Sequence, residues 1–239
     1  MPEEFEGDLT EAVFWGADLS GTTFRDVNLT NAKVSHALLV NVDIDALIDN
    51  VVINGVDVTA FVNDRDPWHP LRTVLAFPST PSDIRTSWRL LETEWAKTVA
   101  RAQALPEGKL YESVNGEFSF VETVRHLVFA MDKWFTVPVA GEAFHPIGLP
   151  NKGSLDFPWP GLDYELRPSV ADALTVHANR ATHYRAFIAS MTADDLPRSI
   201  DVLENGEHPL LPCLHTVFEE TFWHIRYAVR DLALLEAAL

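Results

Sequence analysis

An apolar residue returns every five positions through the first part of the chain, and this spacing limits how the segment can fold. Eight such pentads run in phase, at Leu9, Phe14, Leu19, Phe24, Leu29, Val34, Leu39 and Ile44. A small or β-branched residue stands two positions before most of them, at Ala12, Ala17, Thr22, Val27, Ala32, Ala37 and Val42. Neither the helical period of 3.6 nor the strand period of 2 generates this pattern. A short fixed period is typical of a solenoid, whose units stack their inward side chains on those of their neighbours.

The repeated segments, among them FWGADLSGTTFRDVNL, resemble those of pentapeptide-repeat proteins. This resemblance implies a short right-handed quadrilateral β-helix, in which eight pentads would make about two coils. Leu and Phe would then fill the centre of each coil, and Ala, Thr and Val would pack beside them. The register breaks near residues 45–50, and Asn54 and Gly55 predict a turn between two short strands further on. We therefore expect a repeat module over residues 1–62.

The charge of the chain argues against some classes of partner. The formal net charge is −17, and residues 1–66 hold thirteen acidic against three basic residues, a net −10. Binding a phosphate backbone depends on Lys and Arg, so we expect no nucleic-acid partner. The apolar runs are shorter than the roughly 18 residues that a membrane span needs, and the acidic start lacks a signal peptide's basic region. These features predict a soluble, cytoplasmic protein without a membrane partner.

The remainder of the chain has the periodicity of helices. Residues 63–82 contain four prolines and no regular period, and we interpret them as a linker. Amphipathic spacing and capping signals then predict four helices: one capped by Ser82 and ending near Leu105, one opened by a Ser119–Glu122 capping box and ending near Val137, one with Pro168 in its first turn and ending near Met191, and one from about Pro209 onward. The fold class is therefore mainly α, with a four-helix bundle over residues 83–239.

The long connection at residues 138–167 is rich in proline and aromatic residues. This composition favours an ordered cover over a free linker, and long irregular loops of compact domains often act as lids or binding loops. Padding for the bundle is an equally open interpretation.

Three side chains are candidate metal ligands. Glu220 and His224 lie four residues apart on the fourth helix, so both side chains share one face, and His126 is the only histidine of the second helix. All three lie about 110 to 150° from the centre of their helices' apolar stripes, so none belongs to the middle of the core, and the periodicity permits them to meet only in a cleft at the shoulder of the bundle. A Glu and a His at this spacing also occur as a solvated or hydrogen-bonded pair. The single cysteine, Cys213, excludes a cysteine-based zinc site, so a metal here would need His and carboxylate ligands.

The combination resembles the DinB-like superfamily of metal-dependent bundles. The strings VRHLVFAMDKWF and FWHIRYAVRDLALLE are similar to those of its actinobacterial members, and the likeness covers about residues 83–239. Glu220, in place of a histidine, is similar to the mycothiol-dependent maleylpyruvate isomerase branch. The resemblance implies that His126, Glu220 and His224 bind a divalent metal, with Zn²⁺ or Ni²⁺ favoured by this ligand set. It also implies a small-molecule substrate, a low-molecular-weight thiol such as mycothiol, and thiol transfer or thiol-assisted isomerisation.

Other interpretations stay open. Tyr227 and Asp231 extend the row of Glu220 and His224 and either line the site or lie on the helix surface, where Asp231 would pair with a neighbouring arginine. The chain as a whole is either such an enzyme or a non-catalytic scaffold whose acidic repeat module recruits a protein partner. Proteins of both fold classes commonly self-associate, so a homodimer is an expectation from class.

Overall fold

The chain divides into two compact units, residues 1–44 and residues 45–239. The structure is a computed structural model, and it describes residues 5, 7–25, 27–76, 78–154 and 157–239, without the side chains of residues 152 and 204.

The first unit shows its five-residue period in its turns. The backbone takes a positive φ at Glu11, Gly16, Gly21, Asn31, His36 and Asn41. Asp8, Asp18 and Asn28 each accept a hydrogen bond from the backbone N–H two residues later. No strand is found among the described residues of this unit, and the side chains expected in the coil centre are 43% exposed at Leu19 and 72% at Val34. The structure therefore does not show the predicted filled coil, since about two coils give an inward side chain few neighbours to stack on.

The second unit begins with a hairpin and two short helices. Strands β1 (Val52–Ile53) and β2 (Val56–Asp57) pair antiparallel, and Asn54 and Gly55 between them have φ of 51° and 82°, as the predicted turn requires. Helix α1 spans Thr59–Asn63 and α2 spans His69–Leu75, so the segment interpreted as a linker contains a helix. Helix α2 packs against α3 (Pro81–Gln103), and its Leu71 is buried.

Most of the second unit is helical, which confirms the predicted class. Its further elements are a 3₁₀ turn at Glu107–Tyr111, α4 (Phe120–Met131), a π-helical turn at Asp132–Thr136, α5 (Val137–Ala140), a 3₁₀ turn at Lys152–Ser154, α6 (Val170–Ser190), a 3₁₀ turn at Ala193–Asp195, β3 (Ser199–Asp201), a 3₁₀ turn at Leu203–Asn205, β4 (Glu207–Pro209) and α7 (Leu210–Ala237). Strands β3 and β4 pair antiparallel.

The four long helices enclose one apolar core. The main contacts run from α3 to α7, from α7 to α4, from α4 to α6 and from α6 back to α3. The α4–α7 and α3–α6 interfaces therefore lie on opposite sides of the bundle. Trp88, Tyr184 and Phe218 meet in the core with ring centroids 4.6 to 6.2 Å apart. Among the described helices, none combines the length and apolar character that a membrane crossing needs.

Two helices begin at positions that differ from the predictions. Helix α3 is capped by Thr80, not Ser82: the Thr80 side chain accepts from the N–H of Asp83, and Pro81 takes the first helical position. Pro168 lies before α6, whose cap is Ser169. Pro168 therefore lies outside the first turn, where it was predicted. The capping box of Ser119 and Glu122 is confirmed at the start of α4.

Candidate metal centre

The structure brings together the three candidate ligands, one from α4 and two from α7. One ligating atom from each of His126, Glu220 and His224 lies within 4.8 Å of the others. His126 Nε2 is 3.2 Å from Glu220 Oε2, and the two imidazole centroids are 4.6 Å apart. Residues 94 positions apart in the chain meet because α4 and α7 are neighbours in the bundle.

His126 is more deeply buried than the helical wheel predicted. Its exposed fraction is 4%, whereas its angle from the apolar stripe of α4 placed it at the margin of the bundle. The difference arises because α4 is buried around nearly its whole circumference. The connection at residues 138–167 covers the side of α4 that the bundle leaves open, and Phe129 of α4 packs there against Phe144 and Trp159. Glu220 and His224 remain partly exposed.

Hydrogen bonds to backbone carbonyls define the tautomer of both imidazoles. His126 Nδ1 lies 2.9 Å from the carbonyl oxygen of Leu149, and His224 Nδ1 lies 2.8 Å from that of Glu220. A carbonyl oxygen only accepts, so each Nδ1 carries a proton and donates it. In the neutral ring Nε2 then has a lone pair, which is the form that binds metals.

This tautomer makes the cluster fit a cation. In the neutral tautomer, the Nε2 lone pair of His126 and the carboxylate of Glu220 are two acceptors 3.2 Å apart, and they would repel each other. A proton on Nε2, which makes the contact a hydrogen bond, or a metal ion bound by both atoms removes the repulsion. Two imidazoles and one carboxylate are a donor set suited to Zn²⁺ and similar ions, and three protein ligands leave positions for water or substrate.

The electrostatics favour an uncharged His224. The pKa of His224 is lowered to about 4: burial is the largest cause, the nearby His126 adds to it, and Glu220 opposes both effects. The imidazole is therefore neutral at pH 7, and no proton has to leave it before it binds a metal ion.

A buried arginine attaches the covering segment to α4. The guanidinium of Arg125 donates from Nε to the carbonyl of Ile147 at 2.8 Å, and the backbone N–H of Leu149 donates to the carbonyl of Arg125 at 3.2 Å. Burial lowers the pKa of Arg125, and the Arg167 charge lowers it further. The interpretation of this segment as an ordered cover is confirmed, although its residues 155 and 156 lie outside the described part. Sequence reasoning missed Arg125 and the Leu149 carbonyl; the adjacent His126 was the only available signal.

The neighbours of the cluster are mainly aromatic. The ring centroids of Phe118 and Phe129 are 5.5 and 6.0 Å from that of His126, and the Tyr227 centroid is 5.8 Å from that of His224. Asp231 pairs with Arg230 at 2.7 Å, which confirms the predicted arginine partner, but its side chain is buried and does not lie on the helix surface.

Two further histidines are engaged elsewhere. His215 bonds to the carbonyl of Pro78 at 2.8 Å, and His183 lies 3.1 Å from the carboxylate of Glu142.

Comparison with protein families identifies the families of both units. A family model described as the DinB superfamily matches residues 90–228, more than half of the chain. The chain belongs to the DinB superfamily. A model for pentapeptide repeats matches residues 8–44 in eight copies, the number predicted from the spacing. No curated protein and no solved structure gives a significant match. Both families named from the sequence are thus confirmed, and this DinB protein combines the two modules.

Proposed function

We propose that this DinB protein is a divalent-metal-dependent enzyme whose ion is held by His126, Glu220 and His224. The observation that carries the proposal is the convergence of one potential ligand atom from each of these three side chains within 4.8 Å, with Nδ1 of each histidine bonded to a backbone carbonyl. Zn²⁺ and Ni²⁺ suit this ligand set best. A bound ion of this kind lowers the pKa of a thiol or water that occupies its open position.

The proposed reaction is transfer of a low-molecular-weight thiol, or a thiol-assisted isomerisation, on a small electrophilic substrate. The partly exposed Glu220 and His224 form the solvent side of the cluster, where a thiol can enter. Phe118 and Tyr227 supply apolar surface close to the two imidazoles, and this surface limits the water near a reacting thiolate. The His126 ring is held by the covering segment through Leu149, so one ligand keeps its orientation while substrate enters and leaves.

Metal content and turnover test the proposal together. The protein is purified without added ions and analysed for metals, and thiol consumption is then followed with 1-chloro-2,4-dinitrobenzene and a panel of low-molecular-weight thiols. We expect about one equivalent of a divalent metal. His224→Ala is expected to lose the metal and the turnover, whereas the control His183→Ala, a histidine outside the cluster, is expected to keep both. Equal turnover in the wild-type protein and His224→Ala contradicts the enzyme proposal and leaves the scaffold alternative.

We also propose that the repeats form the quadrilateral β-helix of their family. The turn residues at five-residue spacing support this, because a positive φ at a fixed interval places a corner after every side of a coil. Hydrogen exchange of the full-length protein tests it: a β-helix slows amide exchange over residues 8–44, whereas exchange at the rate of an unfolded chain contradicts it.

A further inference from the structure

A turn of the covering segment precedes the backbone carbonyl that orients His126. The carbonyl of Leu149 accepts from His126 Nδ1 at 2.9 Å. Residues 145–148 form the turn, which the N–H of Gly148 closes by donating to the carbonyl of His145 at 2.9 Å. Because Leu149 follows directly, the position of the turn decides where its carbonyl points. The orientation of one candidate metal ligand therefore depends on residues outside the cluster.

The turn is packed closely on α4. Ile147 and Gly148 are buried. A Cβ atom at Gly148 would lie 3.0 Å from Leu162 Cδ2 and 3.4 Å from Phe129 Cβ, so a side chain there would have to displace its neighbours. The backbone of the turn therefore lies directly against the helix that carries His126.

The imidazole of His145 supplies a hydrogen bond inside this turn. Its Nδ1 lies 3.2 Å from the backbone nitrogen of Ile147, two residues later. A backbone N–H only donates, so Nδ1 accepts through its lone pair and the proton of the neutral ring is on Nε2. This tautomer is the opposite of the one in His126 and His224, which donate from Nδ1. His145 thus acts as Asn does in an Asx turn, where the side-chain oxygen accepts from the N–H two residues on.

The peptide groups of Ile147 are held from both sides. Its N–H donates to the His145 ring, and its carbonyl accepts from Arg125 Nε at 2.8 Å. Ile147 is only 3% exposed, so an N–H that loses its acceptor has little access to water, and a buried donor without a partner is costly. Loss of the lone pair on His145 Nδ1 would therefore favour another backbone conformation of the turn and displace the Leu149 carbonyl.

The surroundings of His145 favour the form of the ring that can accept. Burial lowers the pKa of His145, and the charge of Arg180 on α6 adds to this effect. The ring is therefore uncharged at neutral pH. Asp132 accepts from the backbone N–H of His145 at 2.8 Å and lies 2.7 Å from Arg180, which also pairs with Glu142. The charged residues around the turn and its partners are Arg125 on α4, Asp132 directly after it, Arg180 on α6, and Glu142 and Asp163 in the covering segment.

We propose that His145 is a positioning residue of the metal centre: the lone pair of its Nδ1 fixes the turn at residues 145–148, and this turn holds the Leu149 carbonyl against the imidazole of His126. The inference rests on the proposed metal site and adds a residue outside its ligand set. Protonation of His145 converts Nδ1 from an acceptor into a donor, so it loosens the centre at acid pH.

Two substitutions of His145 separate the effect of the lone pair from that of the ring. His145→Asn places an oxygen near the position of Nδ1, and this acceptor does not titrate. His145→Leu occupies similar space without an acceptor. Zn²⁺ is titrated into the full-length proteins by calorimetry at pH 7. We expect His145→Asn to bind within about twofold of the wild type and His145→Leu to bind about tenfold more weakly, the lower end of the effect of disturbing a ligand's partner.

The pH dependence of binding distinguishes this role from a merely structural one. Protons compete for the metal ligands equally in the three proteins, so this competition cancels in the ratios of their affinities. Because the pKa of His145 is lowered from 6.5, its lone pair is fully available above pH 6.5 and is lost as the pH falls below that value. From pH 7 to pH 5 we expect the wild type to weaken relative to His145→Asn, by at most the roughly tenfold that His145→Leu sets, while the ratio of the two variants stays constant. Parallel profiles for the wild type and His145→Asn overturn the proposal, and so does wild-type affinity in His145→Leu.

A measurement on the metal-free protein separates this proposal from the proposed function. The N–H of Leu149 donates to the carbonyl of Arg125, so its hydrogen exchange reports whether the backbone after the turn keeps its position. At pH 7 we expect this exchange to be about tenfold faster in His145→Leu and unchanged in His145→Asn. If the wild type binds no metal, the enzyme proposal fails and exchange decides on His145 alone: faster exchange in His145→Leu supports its positioning role, and equal exchange in all three proteins overturns it.

Discussion

Removing the Arg125 guanidinium is expected to weaken metal binding without direct contact with the ion. Arg125 holds the segment whose Leu149 carbonyl orients His126, through its bond to Ile147 and through its own backbone carbonyl. Arg125→Met keeps an unbranched apolar side chain of similar length and removes every donor. The Ile147 carbonyl then loses its charged partner, and the Leu149 carbonyl loses part of what fixes its position.

The magnitude follows from the two effects. Loss of the group that bonds a ligating histidine typically lowers metal affinity about 10- to 100-fold. Arg125→Met keeps the Leu149 carbonyl and only loosens its position, so we expect a loss at the lower end, about tenfold. The unsatisfied Ile147 carbonyl adds a loss of about 1 to 3 kcal/mol in the free energy of unfolding of the metal-free protein. Metal affinity and the free energy of unfolding of the metal-free protein therefore report the two effects separately.

The assay is Zn²⁺ competition against a chromophoric chelator, together with urea unfolding of the metal-free protein. Arg85→Met is the control, because Arg85 also donates to backbone carbonyls, those of Ile188 and Met191, but on α3, away from the cluster. We expect this control to keep wild-type Zn²⁺ affinity. Wild-type affinity in Arg125→Met would refute the reasoning, and so would an equal loss in both variants.

Three further predictions concern stability, each measured by urea unfolding. Ser119→Ala removes the capping box with Glu122 and is expected to cost about 1 kcal/mol; no change would contradict the cap. Asp132→Ala removes the buried partner 2.7 Å from Arg180 and is expected to cost about 3 kcal/mol, and a neutral result would contradict a coupled pair. Burial lowers the pKa of His177 from 6.5 to about 4, so the folded protein favours the neutral imidazole. The contribution of this preference to the free energy of unfolding is complete above pH 6.5 and is lost as the pH falls towards 4. Relative to His177→Phe, the wild-type protein should therefore lose about 3 kcal/mol between pH 7 and pH 4, and parallel curves for the two proteins would contradict this.

The sequence predicted the candidate metal ligands better than the groups that surround them. His126, Glu220 and His224 could be selected because helical spacing and the resemblance of two local strings depend only on the order of residues. The burial of His126 could not be predicted from a helical wheel, since it depends on the covering segment, whose path has no period. The same segment supplies the Leu149 carbonyl, and a backbone group carries no signal in the residue type.

For the repeat module, the sequence predicted the repeat but not the packing of its side chains. Its period of five and its number of pentads were evident from Leu9 to Ile44, and the family match confirms both. The period fixes where the turns fall, whereas coil packing depends on how many coils stack, which the period does not set. The helix caps show the same limit on a smaller scale: Thr80 and Ser82 are both capping residues, and only the position of Pro81 in the first turn decides between them.

An anomalous-difference map measured at the zinc absorption edge tests the central claim most directly. The crystals are grown from protein purified without added metal and then supplied with one equivalent of Zn²⁺. We predict one peak bonded to an imidazole nitrogen of His126 and of His224 at about 2.0 to 2.1 Å and to a carboxylate oxygen of Glu220, with at least one position left to a non-protein ligand. A map without a peak between these three side chains, or with the ion held by other residues, contradicts the account.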